Sequence, residues 1–364
     1  MSWRERVRKE LRSMSAYPAP KWSCAVKLDA NESPFIPSPE FSTALAEAVQ
    51  GAPLNRYPDA HASNLRALIA ADLHQPEDRL VLGNGGDEII GLLCQTFAEP
   101  ANGQPRASIV YPAPGFVVFR SAAIAAGMNV VEASLGPRME ADAEDLSDKI
   151  ESTNPNLVFL ASPNNPTGTV WPRAVVEELV KSHPGPLWIL DHAYLAYGGD
   201  DLTSLVESTD SCAVLRSYSK VGFAGLRIGV LIARPEVCAE IEKLRLPYNV
   251  GVLNQLAGAL AIGRFRAELS THVKEIVNER ERVRTALEAM TGVEVFPSGA
   301  NLLLMRVKNA AEVWRELVER SVLVRLFDSG RLAGCLRVTI GTVEENDRFL
   351  AALRAANPKP YDGD

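Results

Sequence analysis

Lys220 is where the chemically capable residues of this chain converge. It lies in Ser217-Tyr218-Ser219-Lys220-Val221-Gly222-Phe223-Ala224-Gly225-Leu226-Arg227-Ile228-Gly229, with two serines close before it and an arginine seven positions after it. The apolar run Cys212-Ala213-Val214-Leu215 leads into it and reads as a buried strand. A lysine amine in a dry pocket sheds its proton more readily and becomes a nucleophile that forms Schiff bases with carbonyl compounds. Hydroxyls and a guanidinium are groups that hold a phosphate, and glycines let backbone approach closely. A lysine snorkelling from a strand end would look the same, so the rest of the chain has to decide.

Other groups fall at similar places. Gly83-Asn84-Gly85-Gly86-Asp87-Glu88 follows the run Leu80–Leu82 and opens an apolar helix, Ile89 to Phe97. Glycines opening a helix leave free N–H groups at the positive end of its dipole, an anion site; a tight turn is the plainer alternative. It is neither a Gly-Lys-Ser/Thr phosphate loop nor the dinucleotide fingerprint, since Glu88 stands at the third glycine. Asp191 closes Leu187-Trp188-Ile189-Leu190 and needs a partner there, such as a protonated ring nitrogen, unless it caps a helix. Phe116 follows another run and either fills the core or lies on a planar ring. Ser162 to Thr169 is a turn by composition that brings Asn165 to the same rim. Arg325 and Arg337 stand in apolar strands and call for a carboxylate or phosphate, in the protein or in a ligand.

Positioning these groups requires a sheet. Seven short apolar runs recur between helical stretches: Leu80–Leu82, Ser108–Tyr111, Asn129–Glu132, Leu157–Ala161, Leu187–Leu190, Cys212–Leu215 and Ile228–Ala233. Runs without alternation belong in a mostly parallel sheet covered on both faces, where ligands sit beyond the carboxyl ends of the strands. Before them, the pattern predicts a helix from Trp3 to Met14 and a proline-punctuated arm carrying Tyr17. A helix from Pro39 to about Val49, capped by Ser38, follows. After them come a long helix (Arg264 to Met290) and a small α/β domain. Its strands are Val293–Phe296, Leu302–Val307, Leu323–Arg325 and Leu336–Ile340, with helices Ala310–Glu319 and Val343–Ala356.

Composition excludes several classes. The chain has 364 residues, 46% hydrophobic and 23% charged, and a net charge of -7, which argues against a nucleic-acid-binding surface. Its five cysteines are scattered, as expected of reduced thiols in a cytoplasmic protein, and its five histidines outline no metal site. The charged N-terminus does not read as a signal peptide, and no stretch is long and apolar enough to span a membrane.

Taken together, the glycine loop, Asn165, Asp191, Lys220 and Arg227 resemble the fold-type-I pyridoxal-phosphate enzymes, the aspartate-aminotransferase-like superfamily. Within it the chain is similar to the histidinol-phosphate aminotransferases. Leu28 to Pro34, Arg56-Tyr57-Pro58-Asp59, Leu336-Arg337-Val338 and Gly341-Thr342 also carry the likeness, from about Tyr17 to Thr342. The resemblance implies an α/β fold with a seven-stranded, mostly parallel sheet in a large domain plus a smaller α/β domain. Residues 1–50 would form an arm and part of the small domain, 51–260 the large domain and 261–364 the C-terminal small domain. It implies pyridoxal 5'-phosphate carried on Lys220, with Asp191 on the pyridine nitrogen, Asn165 and Tyr194 on the ring oxygen, and Phe116 stacked on the ring. Gly85, Gly86, Asp87, Ser217, Ser219 and Arg227 would hold the phosphate, joined by Tyr57 from the partner subunit of a homodimer. Tyr17, Asn31, Arg325 and Arg337 would meet the substrate.

The implied reaction takes histidinol phosphate and 2-oxoglutarate to imidazole acetol phosphate and glutamate. An aromatic amino acid aminotransferase and a threonine-phosphate decarboxylase of the same fold stay open as alternatives. A cofactor-binding regulator is disfavoured because no basic DNA-binding module is present. Two departures stand out. His192 replaces the usual Glu after the aspartate; strand alternation turns it away from Asp191. Phe116 replaces a common Tyr and removes a hydroxyl near the substrate.

Overall fold

Runs such as Leu157–Ala161 and Leu187–Asp191 are apolar at successive positions because their side chains enter two different cores. In the computed structural model, which describes residues 2–12, 14, 22–101 and 103–361, Leu157, Phe159, Leu187, Ile189, Ala213 and Leu215 pack into one cluster. Val158, Leu160, Trp188, Leu190 and Val214 pack into another. Alternate residues of a strand face opposite sides, so each strand feeds helices on both faces. Each large apolar side chain so buried contributes about 1.5–3 kcal/mol.

The strands are β1 (Val26–Leu28), β2 (Leu80–Asn84), β3 (Ser108–Ala113), β4 (Asn129–Ser134), β5 (Leu157–Ala161), β6 (Leu187–Asp191), β7 (Cys212–Ser217), β8 (Ile228–Ile232), β9 (Glu294–Val295), β10 (Leu302–Arg306), β11 (Val322–Phe327) and β12 (Cys335–Thr339). The large sheet runs β2-β8-β7-β6-β5-β3-β4. Only β8 opposes its neighbours; the remaining pairs are parallel. β2 therefore points the same way as β7, and the C-terminal ends of β2, β3, β5, β6 and β7 meet at one edge. Strand order reverses between β3 and β5, the kind of switch point that opens a crevice.

The second sheet runs β1-β11-β12-β10-β9, with β1 parallel to β11. Its apolar face packs on Ile276, Val283 and Leu287 of the long helix Arg266–Glu288 and on Phe349 and Leu353 of the helix Val343–Ala355. β1 is a strand that the sequence reading did not pick out within the segment it gave to the arm and part of the small domain. Three residues are too few for a period to register, although Val26 and Leu28 are buried and Lys27 faces out. The expected helix from Trp3 to Met14 is corrected. A single tight turn (Trp3–Arg6) and a short helix (Lys9–Arg12) flank an extended Val7, and neither buries a residue. Segments that short need packing to persist as one helix. The helix Pro39–Gln50 begins as expected, Ser38 Oγ accepting from the Phe41 N–H at 3.2 Å.

Among the described residues no helix is long and apolar enough to cross a membrane, and no cluster of His, Cys, Asp or Glu could hold a metal ion.

Candidate active site

Parity decides which side chains meet at the sheet edge. Ala161, Asp191, Leu215 and Ser217 share one face of β5, β6 and β7, and all four line a cleft of about 600 Å³, mouth included. Gly86, Asp87, Phe116, Asn165, Tyr194, Ser219, Lys220 and Arg227 complete most of its wall.

One end is built to receive an anion. β2 ends at Asn84, Gly85 adopts φ +81°, and the helix Gly86–Thr96 begins at the cleft, where Gly86 and Asp87 line the wall; the first N–H groups of a helix are left free for an anion. A Cβ on Gly85 would lie 2.5 Å from Arg227 Nη2, and one on Gly229 of β8 would lie 2.4 Å from the Gly85 carbonyl carbon. Glycine at both places lets strand and guanidinium close on the loop. Arg227 itself holds φ +50°, uncommon for a bulky residue, and its Nη2 donates to Asp87 Oδ2 at 2.9 Å. Ser219 N–H donates to Ser217 Oγ at 3.2 Å, while the buried Ser219 Oγ has no protein partner among the described residues.

In the middle of the cleft, Asp191 is buried. Its Oδ1 accepts from the Ala193 N–H at 2.9 Å. Burial pushes this carboxyl up to about 6; the Ala193 bond opposes that, Asp87 adds to it, and Lys220 opposes it. Such a carboxylate is short of a cation. Lys220 sits on the wide helical turn Ser219–Phe223. Its carbonyl accepts from Tyr197 Oη at 2.6 Å, and its Nζ lies 5.7 Å from the Tyr194 ring centroid. Phe116 packs edge-on against Phe119, with centroids 5.7 Å apart.

At the far side the small sheet reaches in. Arg337 Nη1 donates to Asn165 Oδ1 and Nη2 to the Asp29 carbonyl, each at 2.6 Å. Asn31 Nδ2 donates to Tyr194 Oη at 2.8 Å, and the Asn31 N–H donates to Thr339 Oγ1 at 2.9 Å. Thr339 was missed by sequence reasoning; its same-face spacing from Arg337 on β12 was the available signal.

Among the described residues expected at the site, Gly85, Asn31, Arg337, Arg325 and Tyr57 are not part of the cleft lining, although Gly85 borders it and Asn31 and Arg337 bond to lining residues. Arg325 faces Arg337 across the β11–β12 register. Tyr57 is 79% exposed, its ring stacked on Tyr248. Tyr17 lies outside the described residues. His192, one residue past the end of β6, is buried and does not line this cleft. Both its ring nitrogens lack partners among the described residues, and burial, then the Arg216 charge, brings its pKa down to about 3. It is a neutral imidazole.

These groups fit a phosphorylated, protonated heteroaromatic aldehyde. The glycine-loop N–H groups, Arg227 and the unpartnered Ser219 hydroxyl suit a phosphate, the cation-poor Asp191 a ring N–H, and the Lys220 amine a carbonyl carbon.

Comparison with known proteins agrees in kind. The family described as aminotransferase class I and II matches residues 24–353. A histidinol-phosphate aminotransferase 2 of Nitrosococcus oceani is 35% identical, covering 96% of this chain and 96% of its own. A histidinol-phosphate aminotransferase of Aquifex aeolicus is 36% identical, covering 95% of this chain and 97% of its own. Among solved structures, the histidinol-phosphate aminotransferase of Sinorhizobium meliloti in complex with pyridoxal-5'-phosphate superposes with a TM-score of 0.85. It is 23% identical and covers 96% of this chain and 97% of its own, a likeness of fold.

Proposed function

The chain belongs to the class I and II aminotransferases, and from that premise we propose that it moves the amino group of histidinol phosphate to 2-oxoglutarate in histidine biosynthesis. Its cofactor is pyridoxal 5'-phosphate. The observation that carries the reading is the single cleft in which Lys220, the buried Asp191 and Arg227 meet. The two relatives at 35% and 36% identity support the substrate.

The cofactor supplies an electron sink for the carbanion left when the substrate carbon loses its proton. The residues do the rest. Arg227, the Ser217 and Ser219 hydroxyls and the N–H groups of Gly85, Gly86 and Asp87 hold the phosphate. Asp191 keeps the ring nitrogen protonated; its own carboxyl, raised by burial, drops again once a cation faces it. Asn165 and Tyr194 hold the ring oxygen, and Phe116 covers the ring. Lys220 Nζ would anchor the cofactor and would carry the substrate proton, as base and then acid. Arg337 takes the carboxylate of the amino acceptor bidentately, while Asn31, Arg325 and Tyr17 contact histidinol phosphate, Arg325 at its phosphate.

Two copies complete the site, Tyr57 of each reaching the cofactor phosphate of the other. Residues 51–260 act as the cofactor domain, 261–364 as the small domain, and 1–50 as an arm with part of the small domain. The enzyme works in the cytoplasm.

Steady-state assay with a panel of amino donors tests the substrate. Histidinol phosphate is expected to give the highest kcat/KM. Phenylalanine turned over far better would make it an aromatic aminotransferase; carbon dioxide released without an acceptor would make it a decarboxylase; no turnover of histidinol phosphate sinks the assignment. Arg227→Ala is expected to weaken cofactor binding about 30- to 150-fold, the scale of a lost charge-assisted contact of about 2–3 kcal/mol. Equilibrium titration of cofactor into the variant checks this, and unchanged affinity would remove Arg227 from the phosphate site.

A further inference from the structure

Residues 245–255 touch two places that the proposed function uses separately. On one side, Asn249 Nδ2 donates to the Leu82 carbonyl at 3.1 Å and to Glu88 Oε2 at 2.7 Å. The same Glu88 oxygen accepts from the Asn84 N–H at 2.6 Å. These bonds bracket the glycine turn that opens the helix Gly86–Thr96. On the other side, Arg245 Nη1 donates to the Ala60 carbonyl at 3.2 Å and Gln255 Nε2 to the Asp59 carbonyl at 2.9 Å. Both hold the loop that carries Tyr57. The sides are joined, since Arg245 Nη1 also donates to Asn249 Oδ1 at 2.8 Å.

Between them stands Tyr248. Its ring lies on the Tyr57 ring, with centroids 4.5 Å apart and planes 16° from parallel. Its backbone has φ +66°, a left-handed conformation that a tyrosine rarely takes. Strain of this kind persists only where the surroundings over-determine it, and it clusters where pose matters. The side chains of Arg245 and Asn249 bond on either side of it. Tyr57 is 79% exposed, so this stack holds the plane of its ring.

We propose that Tyr248 is a positioning residue: it fixes Tyr57 in the pose that reaches the other subunit's cofactor phosphate, and Asn249 ties that pose to its own subunit's glycine loop. The inference rests on the proposed sharing of Tyr57 between two copies. A double-mutant cycle on the full chain tests it, reading the cofactor dissociation constant by absorbance titration, with circular dichroism as the check on folding.

Tyr57→Ala and Tyr248→Ala are each expected to weaken cofactor binding about tenfold, the scale of one lost aromatic contact. The double variant is expected to be no weaker than Tyr57→Ala, and Tyr248→Phe, which keeps the stack, to match the wild type. Wild-type affinity in Tyr248→Ala, or losses that simply multiply in the double variant, overturns the positioning role while leaving Tyr57 in the site. Wild-type affinity in Tyr57→Ala overturns the shared site and this inference with it. Should Tyr248→Ala not fold, Tyr248→Leu, which keeps bulk but loses the flat ring, decides in its place.

Discussion

Lys220→Ala is expected to give a folded protein that binds cofactor without covalent attachment and turns over at least about 10⁴-fold more slowly, the upper range for a positioned acid–base group. The backbone around Lys220 is held independently of its amine, by the Tyr197 hydroxyl on its carbonyl and by the turn Ser219–Phe223 packed against the long helix. Truncation should therefore remove the amine and little else. Circular dichroism should match the wild type, while the visible absorbance of the covalently held cofactor disappears. A covalent chromophore persisting in the variant would identify another lysine as the anchor.

Asp191→Asn should act in opposite directions on activity and stability. In the loaded enzyme, loss of the carboxylate that holds the ring proton should lower kcat about 10²–10³-fold, the scale of removing a preorganised electrostatic partner. In the cofactor-free protein the same carboxylate is a burden. Its folded pKa, raised from 3.8 to about 6, lies above the unfolded value, so the folded state binds the proton more tightly. Stability then falls as pH rises from about 4 through about 6, and above that window the buried charge costs up to about 3 kcal/mol. The amide does not titrate. Cofactor-free Asp191→Asn should thus exceed the wild type in urea denaturation by roughly 2–3 kcal/mol at neutral pH, with the gap closing below pH of about 4. A wild type more stable than the variant at neutral pH would contradict this account of Asp191.

Much of this was legible in the chain because fully buried parallel strands leave continuous apolar runs, and the groups that matter follow directly after them. Asp191 at the end of β6 and Ser217 at the end of β7 fell into one cleft by parity alone. What was not legible depends on distance along the chain or on brevity. The bond from the Asn31 N–H to Thr339 crosses 308 residues, and that between Asn249 and Glu88 crosses 161. No local pattern announces such pairings. β1 is too short to show a period. Asp87 was read only for its N–H, yet its carboxylate engages Arg227, which follows from side-chain reach rather than spacing.

The absorption spectrum of the purified protein, taken before and after adding histidinol phosphate without an acceptor, tests the central claim most directly. The account predicts a bound-cofactor band that shifts as the amino group is taken up and returns on adding 2-oxoglutarate, with neither change in Lys220→Ala. A spectrum that histidinol phosphate leaves unaltered would contradict it.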